Sequence, residues 1–71
     1  MNMREARFVR GYSQWQMSRI LWIPQSRISL IERGLVDPRD DEKEKIAKLL
    51  GFDENVLFPE YGDPTLPIRQ F

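Results

Sequence analysis

The sequence has 71 residues, no cysteine, no histidine and a formal net charge of zero. A chain of this length holds one domain. Without cysteine it has no disulfides, so tight helix packing or a partner subunit has to stabilise its small core. Because histidine and cysteine are both missing, neither a zinc site nor another cofactor is expected. No apolar run reaches the length of a membrane span, and the first residues lack the apolar stretch of a secretion signal, so we expect a cytoplasmic protein without membrane contact.

Charge is divided unevenly along the chain. Residues 1–36 carry six arginines against two glutamates, a net charge of +4. Residues 37–71 carry five basic and nine acidic residues, a net charge of −4. Such asymmetry points to a polyanion as the partner of the basic half, but arginines that merely solvate a helical surface would give the same count.

Helix signals run through most of the chain. Ser13 and Gln16 match a capping box, Pro24 suits the first turn of a helix, and glycines stand where helical runs stop. The predicted helices, in chain order, lie at about residues 2–10, from 13 onward, at about 24–33, from 39 or 40 to 50, and at 53–57. The fold class is therefore all-α, a compact bundle of four helices plus a short fifth.

Apolar residues at helical spacing predict the core of this bundle. The expected inward faces carry Met3, Ala6 and Arg10; Met17 and Leu21 with Ile20 beside them; Ile28 and Ile31; and Ile46, Leu49 and Leu50. The acids Asp40, Asp41 and Glu42 crowd the first turn of helix four, where the helix dipole favours negative charge. Asp53 is expected to cap the fifth helix.

The domain is predicted to end at residue 58, and residues 59–71 form a proline-rich tail. With Leu66, Ile68 and Phe71, this tail either pairs with a second copy as a short strand or is disordered. The acidic second half is either a solvated face, or it keeps helices four and five away from a polyanion partner while they form a dimer interface. The apolar material for that interface is Phe52, Val56, Leu57 and Phe58.

The most informative feature is a pair of short helices joined by a tight turn at residues 21–24. The second of them begins with small polar residues, and a helix of this kind fits the major groove of DNA with its first residues at the base edges. Gln25 offers a donor and an acceptor that match adenine, and Ser26 and Ser29 fall on the same exposed side.

These residues resemble a known family. The segment from Ser13 to Gly34, above all Ile-Ser-x-Ile-Glu-Arg-Gly at 28–34, is similar to the Cro/cI-type (XRE-like) phage repressors, and the similarity extends over about residues 3–58. The resemblance implies a lambda-repressor-like, five-helix DNA-binding domain. It would act as a phage or prokaryotic transcriptional repressor that reads a near-palindromic operator as a homodimer.

The resemblance also implies roles for single residues. Helix three would present Gln25, Ser26 and Ser29 to the bases. An ion pair between Arg7 and Glu32 would fix that helix, since Glu32 would be costly if it were buried without a partner. Arg27 is either a phosphate ligand or a surface charge. The remaining phosphate contacts would come from Ser13, Gln14, Arg33 and Arg39.

The sequence departs from this family at the turn, where Trp22 stands in place of the usual glycine. If the turn keeps its left-handed backbone, tryptophan there costs about 1–2 kcal/mol. Phe8, Trp15 and Leu30 also occupy positions that are usually polar. We expect Trp15 to fold over its own helix and fill a gap in the core, whereas for Trp22 a core role and an interface role both stand.

A second hypothesis follows from these large apolar residues. A helix-turn-helix could serve as a protein-interaction module that binds a regulator, a polymerase subunit or a toxin through Phe8, Trp15, Trp22 and Leu30. An enzyme is not expected, because the sequence has no histidine, no cysteine and no glycine-rich phosphate loop. Its acids cluster at a helix start, where the helix dipole already explains them.

Overall fold

A computed structural model describes residues 1–59 of the chain. Within that range the protein forms five helices and no strand, which confirms the all-α prediction. The helices are α1 Met3–Arg10, α2 Gln14–Leu21, α3 Gln25–Glu32, α4 Asp40–Leu50 and α5 Glu54–Leu57. None of them combines the length and the apolar character needed to cross a bilayer. The predictions for the tail from residue 60 onward lie outside the described residues.

The start of α2 is fixed by its own sequence. The Gln16 backbone N–H donates to Ser13 Oγ at 3.0 Å, and the Ser13 N–H donates to Gln16 Oε1 at 2.8 Å. The predicted capping box is therefore confirmed. The expectation for α5 is wrong in one detail, because Asp53 occupies the N-cap position but its side chain makes no capping hydrogen bond.

The end of α3 is set by Gly34, whose φ of +74° a residue with a side chain rarely adopts. The Gly34 N–H donates to the Ile31 carbonyl at 3.1 Å, and the Leu35 N–H donates to the Leu30 carbonyl at 2.9 Å. This pair of bonds is a Schellman motif, which satisfies carbonyls that the helix itself leaves without donors. The helix therefore stops where the sequence predicted.

The core lies where the inward faces of all five helices meet. Most of the predicted core residues are buried, but three are not, and one of these, Leu49, is half-buried against the core. Arg10 is exposed and Arg7 is the buried arginine of α1, while Ile20 stays half exposed on α2. The buried apolar residues are Met3, Ala6, Met17, Leu21, Ile23, Ile28, Ile31, Ile46, Ala47, Leu50, Leu57 and Phe58.

The burial of Leu57 and Phe58 corrects the predicted dimer interface. Both side chains are almost fully buried in the domain's own core, so they offer no surface to a second copy. Val56 remains exposed and Phe52 is half-buried. Only these two of the four predicted interface residues are therefore accessible.

Arg10 links α1 to the end of α4. Its Nε donates to the Leu50 carbonyl at 2.7 Å, and its guanidinium carbon lies 4.8 Å from the centre of the Phe52 ring. A cation is favoured at this end of a helix because the last carbonyls carry partial negative charge. Arg10 therefore stabilises the packing of α1 on α4, although it does not belong to the apolar face.

Candidate nucleic-acid interface

The turn between α2 and α3 has the left-handed backbone that its sequence position suggested. Trp22 has φ 59° and ψ 35°, and it is the sole non-glycine residue with positive φ within residues 1–59. The next residue, Ile23, is buried in the core and anchors the turn. Trp22 itself is 90% exposed, so no packing of its ring offsets the backbone strain of about 1–2 kcal/mol.

The three predicted base-reading residues share one side of α3. Ile28 and Ile31 point into the core, which turns the opposite side of the helix outward. Gln25 and Ser26 are exposed there, and Ser29 is half-buried. The outward side of α3 thus presents an amide and two hydroxyl groups close to the start of the helix.

A buried group of three side chains, which we call the inner clamp, holds α3 against α1 and α2. Arg7 Nε donates to Glu32 Oε2 at 2.7 Å, and Arg7 Nη2 donates to Glu32 Oε1 at 3.2 Å. Gln14 Nε2 also donates to Glu32 Oε1, at 3.0 Å. The side chains of Arg7 and Glu32 are only 8% and 2% exposed, so the pair is buried in the domain.

The guanidinium of Arg7 also binds the backbone between α1 and α2. Its Nη1 donates to the Tyr12 carbonyl at 2.9 Å, just before α2 begins. Glu32 is the last residue of α3, so one carboxylate ties the end of this helix to the last turn of α1 and to the start of α2. Gln14, which the resemblance assigned to a phosphate, keeps its second amide hydrogen for another acceptor.

A second ion pair, the outer clamp, joins α3 to α4. Arg27 donates through Nε to Glu42 Oε2 and through Nη2 to Glu42 Oε1, the latter at 2.8 Å. The Arg39 backbone N–H donates to the same Oε1 at 2.8 Å. Glu42 is 6% exposed and Arg27 is 27% exposed, so this pair lies at the edge of the core.

The outer clamp shifts the pKa of both of its residues. The hydrogen bond from Arg27 lowers the pKa of Glu42 below its ordinary value, against the opposing effect of burial. The same bond raises the pKa of Arg27, so the guanidinium stays charged. The sequence allowed two roles for Arg27, phosphate ligand or surface charge. The structure shows its guanidinium bound to Glu42 of α4, and its contact with a phosphate stays a prediction.

The other predicted phosphate ligands lie around α3. Ser13 is exposed, and its hydroxyl hydrogen remains available although its oxygen caps α2. Arg33 directly follows the inner clamp, and Arg39 directly precedes α4 beside the outer clamp. Both arginines are exposed, and the charge of Arg39 contributes to lowering the pKa of Glu42.

Large apolar side chains remain on the outside of α1 and α2. Phe8 and Trp15 are 61% and 57% exposed, which shows that the expectation of a core role for Trp15 is wrong. Arginine guanidinium groups lie over both rings: Arg7 is 4.8 Å from the centre of Phe8, and Arg19 is 5.0 Å from the centre of Trp15. Leu30 is half-buried.

Sequence reasoning missed the outer clamp and the bond from Arg10 to α4. Glu42 stood among the acids of a helix start, and nothing local distinguishes it from its exposed neighbours Asp40 and Asp41. A faint indication was available, because Arg39 has no side-chain acceptor at the N-cap and Glu42 three residues later can accept its backbone N–H.

Comparison with known proteins gives one match. A family model described as helix-turn-helix matches residues 3–57, from the first residue of α1 to the last of α5. Neither a curated protein nor a solved structure matches the chain.

Proposed function

The chain belongs to the XRE-like helix-turn-helix family of DNA-binding regulatory domains, and from this premise we propose that it is a sequence-specific transcriptional repressor. In this proposal a homodimer reads a near-palindromic operator of phage or prokaryotic type, in the cytoplasm where such DNA lies. The observation that carries the proposal is the polar outward side of α3, held at both ends by ion pairs. The family is one of DNA-binding regulators rather than enzymes.

Base recognition falls to Gln25, Ser26 and Ser29. An amide at the start of a helix can donate to N7 and accept from N6 of adenine in the same plane, which selects that base in the major groove. The two hydroxyl groups can donate or accept, so they add contacts without demanding one base. The clamps support this role, because a reading side chain has to be placed within a fraction of an ångström.

Backbone contacts fall to residues at the rim of this surface. Ser13 and Gln14 can each donate one hydrogen to a phosphate at the start of α2. Arg33 and Arg39 add positive charge, which makes binding weaken as salt rises. Arg27 stays a predicted phosphate ligand, although Glu42 already binds its guanidinium.

The dimer is proposed from the symmetry of operators that such domains read. Two copies would place their α3 helices about 34 Å apart on one side of the duplex. The acidic second half of the chain would face away from the DNA, since its net charge of −4 is repelled by phosphate. The contact between copies would be formed by exposed Val56 and by the tail residues Leu66, Ile68 and Phe71.

A second candidate function is favoured by the aromatic residues on α1 and α2. Trp22 is 90% exposed, and Phe8 and Trp15 are more than half exposed. A protein-interaction module would use these three, with Leu30, to bind a regulator, a polymerase subunit or a toxin. Trp22 costs the fold stability, because its backbone is strained and its ring is exposed. A function in binding a protein partner would explain why tryptophan stands there.

A mobility-shift assay on mixed genomic fragments, titrated with salt, separates the two candidates. The repressor proposal predicts binding at low salt that weakens steadily as the salt concentration increases. The absence of any shifted band at the lowest salt would contradict it and favour the interaction module. The W15A/W22G double variant should shift the same fragments as the native chain if DNA is the partner.

A further inference from the structure

Leu30 is the residue of α3 whose placement the proposed contacts leave unexplained. It is half-buried, but it lies outside the cluster that forms the core. The core contacts of α3 are made instead by Ile28 and Ile31. Core packing therefore does not explain why a leucine stands at this position of the helix that is proposed to enter the major groove.

Helical geometry puts Leu30 beside the base-reading residues. Each residue of an α-helix advances the direction of its side chain by about 100°, so Leu30 lies about 40° around the helix from Ser26 and one turn further along. Ser26 is exposed and Ser29 is half-buried. The side of α3 that carries Gln25 and Ser26 near its start therefore carries Leu30 further on.

A local structural role for Leu30 is also visible. The Leu35 N–H donates to the Leu30 carbonyl at 2.9 Å in the Schellman motif, and in such motifs these two side chains often touch. Leu35 itself is 59% exposed, so it gives Leu30 little cover from solvent. Because Leu30 is only half-buried, part of its apolar side chain remains accessible to a partner.

Resting on the proposed function, we propose that Leu30 is a specificity-determining residue that reads the methyl group of a thymine. Thymine is the base whose major-groove edge carries a methyl group, and apolar side chains recognise it by contact. At the same place the amino group of cytosine or adenine would lose water without gaining a partner. Each half-site would thus combine an adenine opposite Gln25 with a thymine opposite Leu30.

The test replaces thymine methyl groups one at a time. The probe is a duplex that the native protein selects from random-sequence DNA, with each thymine in turn replaced by deoxyuridine, and Kd is measured by fluorescence anisotropy at fixed salt. Deoxyuridine keeps every hydrogen-bonding group of thymine and removes the methyl group alone. For the native protein we expect one position in each half-site at which replacing thymine by deoxyuridine raises Kd about fourfold. This is the factor that corresponds to desolvating one methyl group.

Two variants assign that thymine to Leu30. In Leu30→Ala the fourfold difference should disappear at this position, so that thymine and deoxyuridine bind alike. Leu35→Ala is the matched control, because it disturbs the same Schellman motif while the thymine discrimination should persist. If Leu30→Ala does not fold, Leu30→Val, which keeps a smaller apolar group, should reduce the discrimination.

The outcomes separate this proposal from the one on which it rests. Sequence-selected binding with no sensitive thymine in the native scan overturns the role of Leu30 and leaves the repressor proposal standing. Discrimination that survives in Leu30→Ala also overturns it. The absence of any selected sequence overturns both proposals together.

Discussion

The two ion pairs that hold α3 differ in depth and in what they connect. The inner clamp, Arg7 with Glu32, is almost fully buried and joins α3 to α1, with Gln14 of α2 as a third member. The outer clamp, Arg27 with Glu42, has a partly exposed guanidinium and joins α3 to α4. In the inner clamp α3 supplies the carboxylate, Glu32, and in the outer clamp it supplies the guanidinium, Arg27.

This difference shows how one short helix can be held rigidly while its outward side stays free. Two charges deep in the core need each other, because either one alone would be stranded away from water. A pair at the edge of the core still reaches solvent and is worth less. We therefore expect the inner clamp to decide whether the domain folds, and the outer clamp to adjust how α3 sits on α4.

The largest effect is predicted for a substitution that breaks the inner clamp. Glu32→Ala leaves the guanidinium of Arg7 buried without its counter-charge, and we expect a loss of about 3–5 kcal/mol in the free energy of unfolding. Urea unfolding followed by circular dichroism measures it. The control is Glu44→Ala, which removes the exposed partner of Lys48 in α4 and should cost at most about 0.5 kcal/mol. Equal losses in the two variants would contradict the account.

A smaller loss is expected from the outer clamp, and it should depend on pH. The pKa of Glu42 is lowered in the folded state, so its carboxylate contributes stability above the ordinary glutamate pKa and loses that contribution as pH falls through the lowered value. Glu42→Gln should therefore be less stable than the native protein at pH 7, by less than Glu32→Ala. The difference should shrink towards pH 3 in urea unfolding. If the stability difference between Glu42→Gln and the native protein stays constant over this pH range, the charged carboxylate of Glu42 does not stabilise the domain through the outer clamp.

The outward side of α3, between the clamps, should behave differently from both. Gln25→Ala should leave the stability of the domain unchanged, weaken operator binding by about 1–3 kcal/mol and relax specificity at one base pair. Anisotropy titrations with the selected operator and its single-base variants measure this. Asn55→Ala, which removes an exposed amide from α5, is the control and should bind as the native chain does.

The turn that leads into α3 should gain stability when its strain is removed. Trp22→Gly is expected to raise the free energy of unfolding by about 1 kcal/mol, because glycine adopts the left-handed backbone at no steric cost. Trp22→Ala removes the same ring but keeps a side chain on this backbone, so it should give little gain. If both variants are equally stabilised, the ring rather than the backbone is the source of the strain.

The smallest effect concerns the charge next to the inner clamp. Arg33→Ala should weaken binding to every DNA sequence and lower the slope of log K against log salt by about one unit. Lys48→Ala, which removes a cation from the acidic second half of the chain, should leave the slope unchanged. An unchanged slope in Arg33→Ala would remove this residue from the proposed backbone contacts.

The sequence predicted what local rules and the family resemblance control. The capping box of Ser13 and the glycine stop at Gly34 depend on neighbours within a few residues, and both are confirmed. The pairing of Arg7 with Glu32 was an expectation drawn from the resemblance, and the structure contains it. The resemblance left open whether the turn at Trp22 keeps a left-handed backbone, and the structure shows that it does. These features were accessible because each is tied to a motif that can be seen in the chain itself.

The contacts that sequence reasoning missed join segments that are distant in the chain. Arg27 meets Glu42, and Arg10 meets the end of α4, because of the way whole helices pack, and no spacing in the sequence encodes that. The exposure of Trp15 and the burial of Leu57 were also misjudged. At both positions an apolar residue fits either side of a short helix, so helix packing decides which side is covered.

Selection of bound sites from random-sequence DNA by the native protein tests the central claim most directly. The account predicts an enriched near-palindrome whose half-sites lie about one helical turn apart, with an adenine in each half that Gln25→Ala no longer requires. A pool without any enriched sequence after repeated rounds at low salt would contradict it.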